Sequence, residues 1–265
     1  MPRFSANLSM LFTEHPFLDR FEAAAAAGFR GVEYIGPYEF PAAEIAARLR
    51  ANGLTQALFN LPAGDWGRGE RGIACHPDRV AEFRQGVSKA IEYAEALGCV
   101  TVNCLAGIPT PESSIAEAHR TLVENLRFAA AELEKAGVLL VVEPINRFDI
   151  PGFFLAHSGH ALAVIDETGA GNLELQYDVY HMQRMEGELA ATIEKNLPRI
   201  GHIQIAGNPG RHEPDTGEIA YSFLFERLDA LGYSGWVGAE YKPKGRTEDG
   251  LGWLRAYGSG KGGKA

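Results

Sequence analysis

Residues 132–143 read ELEKAGVLLVVE. A helix-like tail runs into Gly137, continues as a run of apolar strand formers, and stops on a carboxylate, Glu143. Glycine suits the left-handed residue just past a helix end, because it has no Cβ to clash there. The same grammar recurs in AAAAAGFRGVEY (23–34), RLRANGLTQALF (48–59), AEALGCVTVN (94–103), IDETGAGNLELQYD (165–178) and LDALGYSGWVGAE (228–240), with joints at Gly28, Gly53, Gly98, Gly169 and Gly232. A seventh joint, KNLPRIGHIQI (195–205), uses Pro198 as its stop.

Amphipathic helices precede most of these joints. In PDRVAEFRQGVSKAIEYAEAL (77–97), Val80, Phe83, Val87, Ile91, Ala94 and Leu97 fall on one face at three- and four-residue steps. The next helix opens with Ser114 and Glu117 spaced as a capping box, and its stripe is Ile115, Leu122, Leu126 and Leu133. Eight strands are predicted, near 4–7, 31–35, 54–59, 99–103, 138–143, 173–178, 200–205 and 236–240. The 265 residues divided among eight units give about 33 each, the size of one βα repeat. Strict alternation implies parallel strands with helices outside, so the expected fold is α/β, a single-domain (β/α)₈ TIM barrel over 1–258. An open doubly wound sheet would need a phosphate-binding fingerprint, and the sequence has none. The Gly/Lys-rich residues 259–265 read as a flexible C-terminal tail.

Composition narrows the partners. Hydrophobic residues make up 46% and the formal net charge is −9, so no nucleic acid is expected as a partner. No apolar run is long enough for a membrane span, and MPRFSANLSM lacks an export signal core. Cys75, Cys99 and Cys104 have no metal-ligand spacing and read as reduced thiols of a cytoplasmic protein. Assembly into a homo-oligomer is compatible with the sequence.

In a barrel of this kind, chemistry sits where the strands end. Strand five ends in Glu143, strand six in Asp178 and strand eight in Glu240, and strand seven carries Gln204. Three carboxylates crowd together only if their pKa values rise or a cation joins them. Oxygen ligands suit Mg²⁺ or Mn²⁺, although His181 and His202 lie near enough in sequence to admit a softer ion. A metal on two adjacent substrate oxygens acidifies the neighbouring C–H, and Glu143 and Glu240 are spaced to move that proton as catalytic acid and base. Around the mouth, Arg68, Arg71, Arg211, His212 and Lys242 offer a cationic cradle for a small carboxylate, with Arg211 and Lys242 on the functional rim. Trp66, in GDWGRG, is either a lid or a loop anchor. His15, His76, His119, His157 and His160 read as structural or solvated.

Across FSANLSMLF (4–12), AGDWGRGERGIACHP (63–77), VEPINRFDIPGFFL (142–155), YDVYHMQRMEG (177–187), HIQIAGNPGRHEPDTGEI (202–219) and GAEYKP (238–243), the chain resembles the hydroxypyruvate isomerase family, within the xylose isomerase-like TIM barrels. The resemblance implies interconversion of hydroxypyruvate and tartronate semialdehyde without an organic cofactor. It makes Glu143 and Glu240 the proton donor and acceptor, and Glu143, Asp178, Gln204 and Glu240 the ligands of a divalent ion. Likeness to the ketose epimerases assigns substrate contacts to Asp149 and His181, although those enzymes carry Glu at the first position and His where Gln204 stands. The alternatives within the group are a sugar-acid isomerase, such as a 2-oxo-tetronate isomerase, and a ketose 3-epimerase. An abasic-site endonuclease would need several zinc ions and a basic face, and a non-catalytic sugar-acid binder would tolerate loss of Glu240.

Overall fold

A computed structural model describes residues 2–258; the expected tail at 259–265 lies outside them. Eight parallel strands run in chain order around a closed barrel: β1 (Arg3–Asn7), β2 (Gly31–Tyr34), β3 (Thr55–Asn60), β4 (Thr101–Cys104), β5 (Leu139–Val142), β6 (Leu173–Asp178), β7 (Ile200–Ile205) and β8 (Trp236–Ala239). Pairing of β1 with both β2 and β8 closes the ring. Helices α1 (Arg20–Ala26), α2 (Ala42–Asn52), α3 (Val80–Leu97), α4 (Ile115–Lys135), α5 (Ser158–Thr168), α6 (Val179–Met185), α7 (Leu189–Asn196) and α8 (Tyr221–Ala230) connect the strands, and α9 (Gly252–Gly258) follows β8.

The six joint glycines all take positive φ, between 61° and 101°, a conformation that costs a residue with a Cβ about 1 kcal/mol or more. Pro198 sits in a short 3₁₀ turn, Leu197–Arg199, that delivers the chain into β7. On α3, Phe83, Val87, Ala94 and Leu97 are buried as the stripe requires, while Val80 and Ile91 are half-buried. The capping box of Ser114 and Glu117 forms, and Leu122, Leu126 and Leu133 are buried. Ile115 departs from its expected place: it is the first residue of α4, ahead of the first buried position Ala118, and is 68% exposed.

Strand side chains alternate between two environments. Outward-facing Phe4 meets Phe225 of α8 and Trp253 of α9 edge-on, at 5.1 and 5.2 Å. Its neighbours Ser5 and Asn7 turn inward, as do Glu33, Asn103, Gln176, His202 and Gln204, all buried. The barrel's outer layer is therefore apolar and its interior carries a polar column that leads to the mouth.

Candidate active site

The mouth gathers three carboxylates. Glu143 is the first residue after β5, Asp178 closes β6, and Glu240 is the first residue after β8; all three are buried. Asp178 also caps α6, its Oδ1 accepting from the backbone N–H of Tyr180 at 2.8 Å and of His181 at 3.2 Å. This cap turns His181 inward, and its Nε2 stands 3.6 Å from Asp178 Oδ2 and 3.8 Å from Glu143 Oε1. Arg211 comes from the loop after β7 in a left-handed conformation, φ 58°. It donates to Glu240 Oε2 at 2.5 Å and lies 3.5 Å from Asp178 Oδ2. Strained backbone of this kind persists where surrounding contacts over-determine it.

His181 has a defined tautomer. Asn146 Oδ1 accepts from the backbone N–H groups of Phe148 and Asp149, at 3.1 and 2.9 Å. Its Nδ2 therefore donates, to His181 Nδ1 at 2.6 Å and to Asp149 Oδ2 at 3.1 Å. Burial, with Arg211 and Arg184 nearby, holds the imidazole well below its ordinary pKa, so the ring is neutral. A neutral ring that accepts at Nδ1 carries its proton on Nε2. His181 thus presents an N–H to the carboxylate cluster.

Burial pushes the Glu143 carboxyl well above its usual range, and the charges of Glu240 and Asp178 add to the effect. Burial also raises Asp178, against the pull of Arg211. Glu240 is pushed up to about 7 by burial, again opposed by Arg211. Asp178 Oδ2 is buried without a hydrogen-bond partner. One atom each from Glu143, Asp178 and His181 lie within 4.8 Å of one another. An unpartnered oxygen among carboxylates that resist ionisation is the environment a divalent cation relieves, so Glu143 and Asp178 fit such an ion, with the His181 N–H beside it as a donor and not as a ligand.

The remaining expected residues divide. Asp149 reaches the rim, but its Oδ2 accepts from Asn146 and from Tyr180 Oη at 2.8 Å, and its Oδ1 is bound by Arg184. Gln204 points into the barrel, where Nε2 donates to Glu33 Oε1 and Oε1 accepts from Gln176 Nε2, both at 2.7 Å. That leaves one lone pair on its carbonyl oxygen. Lys242, expected in the cradle, is exposed. It meets the site through its backbone, donating to the Arg211 carbonyl at 2.7 Å and accepting from His212 Nδ1 at 2.8 Å.

A profile of the xylose isomerase-like TIM barrel family matches residues 21–257. The chain belongs to the xylose isomerase-like TIM barrels. It is 56% identical to a hydroxypyruvate isomerase of Escherichia coli strain K12, over 97% of this chain and 100% of that protein. It is 52% identical to a 2-oxo-tetronate isomerase of Cupriavidus necator, over 97% and 99% of the two chains. Among solved structures, an AP endonuclease, family 2, from Brucella melitensis superposes with a TM-score of 0.94 at 47% identity, covering 97% of this chain and 99% of that one. Within the family, this chain is an isomerase of the aldose–ketose type.

Several residues of this xylose isomerase-like site escaped the sequence reading. Asn103 donates to Glu143 Oε2 at 3.2 Å and Asn7 to Glu240 Oε1 at 3.1 Å. Glu33 accepts from Ser5, Asn7, His202 and Gln204 in the column below. Their only local signal is a polar residue at an inward position of an apolar strand. A cavity of about 500 Å³ opens over the ends of β1, β2 and β3, walled by Ser9, Tyr38, Leu61 and Trp66. It connects to the carboxylates through two hydrogen-bond chains: Ser9 N–H to Asn7 Oδ1, and Tyr38 Oη to the carbonyl of Asn60, whose side chain accepts from Asn103. Trp66 is anchored there under the Arg71 guanidinium, 4.0 Å from the ring centroid.

Proposed function

We propose that the protein interconverts hydroxypyruvate and tartronate semialdehyde with a divalent cation, Mg²⁺ or Mn²⁺, in the cytoplasm and without an organic cofactor. The observation that carries this reading is the convergence of three buried carboxylates, an imidazole N–H and a guanidinium on one point of the mouth. Glu143, Asp178 and Glu240, with the free lone pair of the Gln204 carbonyl, would hold the ion. When bound, it supplies positive charge that stabilises the enediolate formed from two adjacent substrate oxygens.

In the proposed reaction one C3–H bond of hydroxypyruvate breaks and one C2–H bond forms. The C3 alcohol becomes an aldehyde and the C2 ketone an alcohol, so no external oxidant is involved. Glu143 and Glu240 serve as acid and base, with Asn103 and Asn7 holding the carboxylates in orientation. His181 Nε2–H donates to the oxygen on which charge develops, and Arg211 offers its fork to the substrate carboxylate. Asp149, with both oxygens engaged, acts by holding Asn146 and Tyr180.

A second reading, a four-carbon acid such as 2-oxo-tetronate as substrate, is favoured by the 52% identity to the 2-oxo-tetronate isomerase of Cupriavidus necator. The activity named for the Brucella protein is disfavoured by the net charge of −9 and by the single group of metal-ligating side chains among the described residues. Incubation with hydroxypyruvate, 2-oxo-tetronate and free ketohexoses in D₂O containing Mg²⁺ or Mn²⁺, followed by NMR, tests the choice. Deuterium is expected at C3 of hydroxypyruvate and C2 of its product; incorporation confined to ketohexoses would refute the reading.

A further inference from the structure

Glu33 is a fully buried carboxylate that the reaction does not consume. It starts on β2 yet ends among residues of β1 and β7, accepting from Ser5 Oγ at 2.8 Å, His202 Nε2 at 2.9 Å and Gln204 Nε2 at 2.7 Å. To get there it passes over β8. A Cβ at Gly238 would overlap both carboxylate oxygens of Glu33. Residues 238 and 240 share a face of their strand, so the Glu33 carboxylate fills the side-chain space directly beneath Glu240.

Both strands that flank Glu240 are tied to this carboxylate. On the β1 side, Asn7 Oδ1 accepts from Ser9 N–H at 3.0 Å, which leaves Nδ2 to bridge Glu240 Oε1 at 3.1 Å and Glu33 Oε1 at 3.4 Å. On the β7 side, Gln204 donates to Glu33 and accepts from Gln176. A carboxylate only accepts, so it dictates which end of each amide faces it. Gln176 Oε1 has no partner, so without an acceptor at position 33 the Gln204–Gln176 pair could reverse.

We infer that Glu33 is a positioning residue: threaded over Gly238, it fills the space beneath Glu240, anchors the Asn7 amide that holds it and orients the Gln204 amide beside it, and thereby fixes Glu240 for proton transfer. The inference rests on Glu240 as an acid–base group of the proposed reaction. Three variants test it: Glu33→Ala; Gly238→Ala, which deletes no hydrogen-bonding group; and Glu33→Ala/Gly238→Asp, which returns a carboxylate to the same space from β8. The readouts are kcat and KM for hydroxypyruvate with Mn²⁺, Mn²⁺ affinity by calorimetry, and thermal unfolding.

Both single variants should lose roughly ten- to a hundredfold in kcat, the scale of a misplaced catalytic group, with KM within about threefold. The double variant should regain about tenfold or more over Glu33→Ala, a rescue that a purely structural role does not give. If Glu33→Ala does not fold, Gly238→Ala decides alone. A folded single variant with kcat within about threefold of the parent, or a double variant no faster than Glu33→Ala, would overturn the inference. If the parent itself does not turn over hydroxypyruvate, the proposed substrate has failed, and Mn²⁺ affinity decides on Glu33. Affinity roughly tenfold weaker in the single variants and regained in the double variant would sustain it, and affinity unchanged in all three would refute it.

Discussion

Phe4 and Ser5 are neighbours in β1, yet Phe4 packs against rings of α8 and α9 while Ser5 donates to a buried carboxylate inside the barrel. The same division runs through β7, where Ile203 and Ile205 face the apolar core and His202 and Gln204 face Glu33. The outer layer obeys ordinary hydrophobic packing. The inner column breaks it, and each carboxylate it buries needs donors or a cation to offset the desolvation. Stability therefore resides on one side of each strand and chemistry on the other.

That division can be broken at its strongest point first. Glu143→Gln and Glu240→Gln should each lower turnover by roughly two to four orders of magnitude. Their unfolding temperatures should hold or rise, because each replaces a carboxyl whose ionised form the fold disfavours by a neutral amide of the same shape. Steady-state rates and melting curves check this, and a near-parental rate removes that residue from the mechanism. On the outer side, Leu126→Ala deletes a fully buried side chain of α4. It should cost about 2–5 kcal/mol in urea unfolding while activity per folded molecule stays unchanged. The smallest effect expected is that of Ser114→Ala, which removes the capping box of α4, at about 1 kcal/mol by the same unfolding measurement and with no change in kcat.

The outer side was legible in the sequence because its signals are local. Glycine joints and three- and four-residue stripes need no knowledge of distant chain, and they place every strand to within two residues. Ile115 misled because a stripe does not record where a helix first meets the core. The strand-end carboxylates were legible too, since Glu143 and Glu240 each end an apolar run and Asp178 closes the β-prone stretch LELQYD. The rest of the site was not. Glu33 reads as one polar residue in a short strand, and its partner His202 lies 169 residues away. The tautomer of His181 depends on Asn146, 35 residues upstream. The depth of Arg211 and the exposure of Lys242 depend on how a loop folds back on the rim, which side-chain type alone does not encode.

If the buried carboxylates share one cation, as proposed, pH gives the sharing a sign. Glu143, Asp178 and Glu240 all have raised pKa values in the folded protein. These three groups hold more protons in the folded state than in the unfolded chain, so their contribution to stability falls as pH rises from the ordinary carboxylate range through the Glu240 value of about 7. A cation competes with those protons, so its stabilisation should grow over the same window. Calorimetric titration of Mn²⁺ into the parent and Asp178→Asn, with melting curves at about pH 5 and pH 8, measures both effects. One ion per chain is expected in the parent, with a larger rise in melting temperature at the higher pH and affinity weakened at least roughly tenfold in Asp178→Asn. No saturable binding in the parent, or equal binding by Asp178→Asn, would contradict the account.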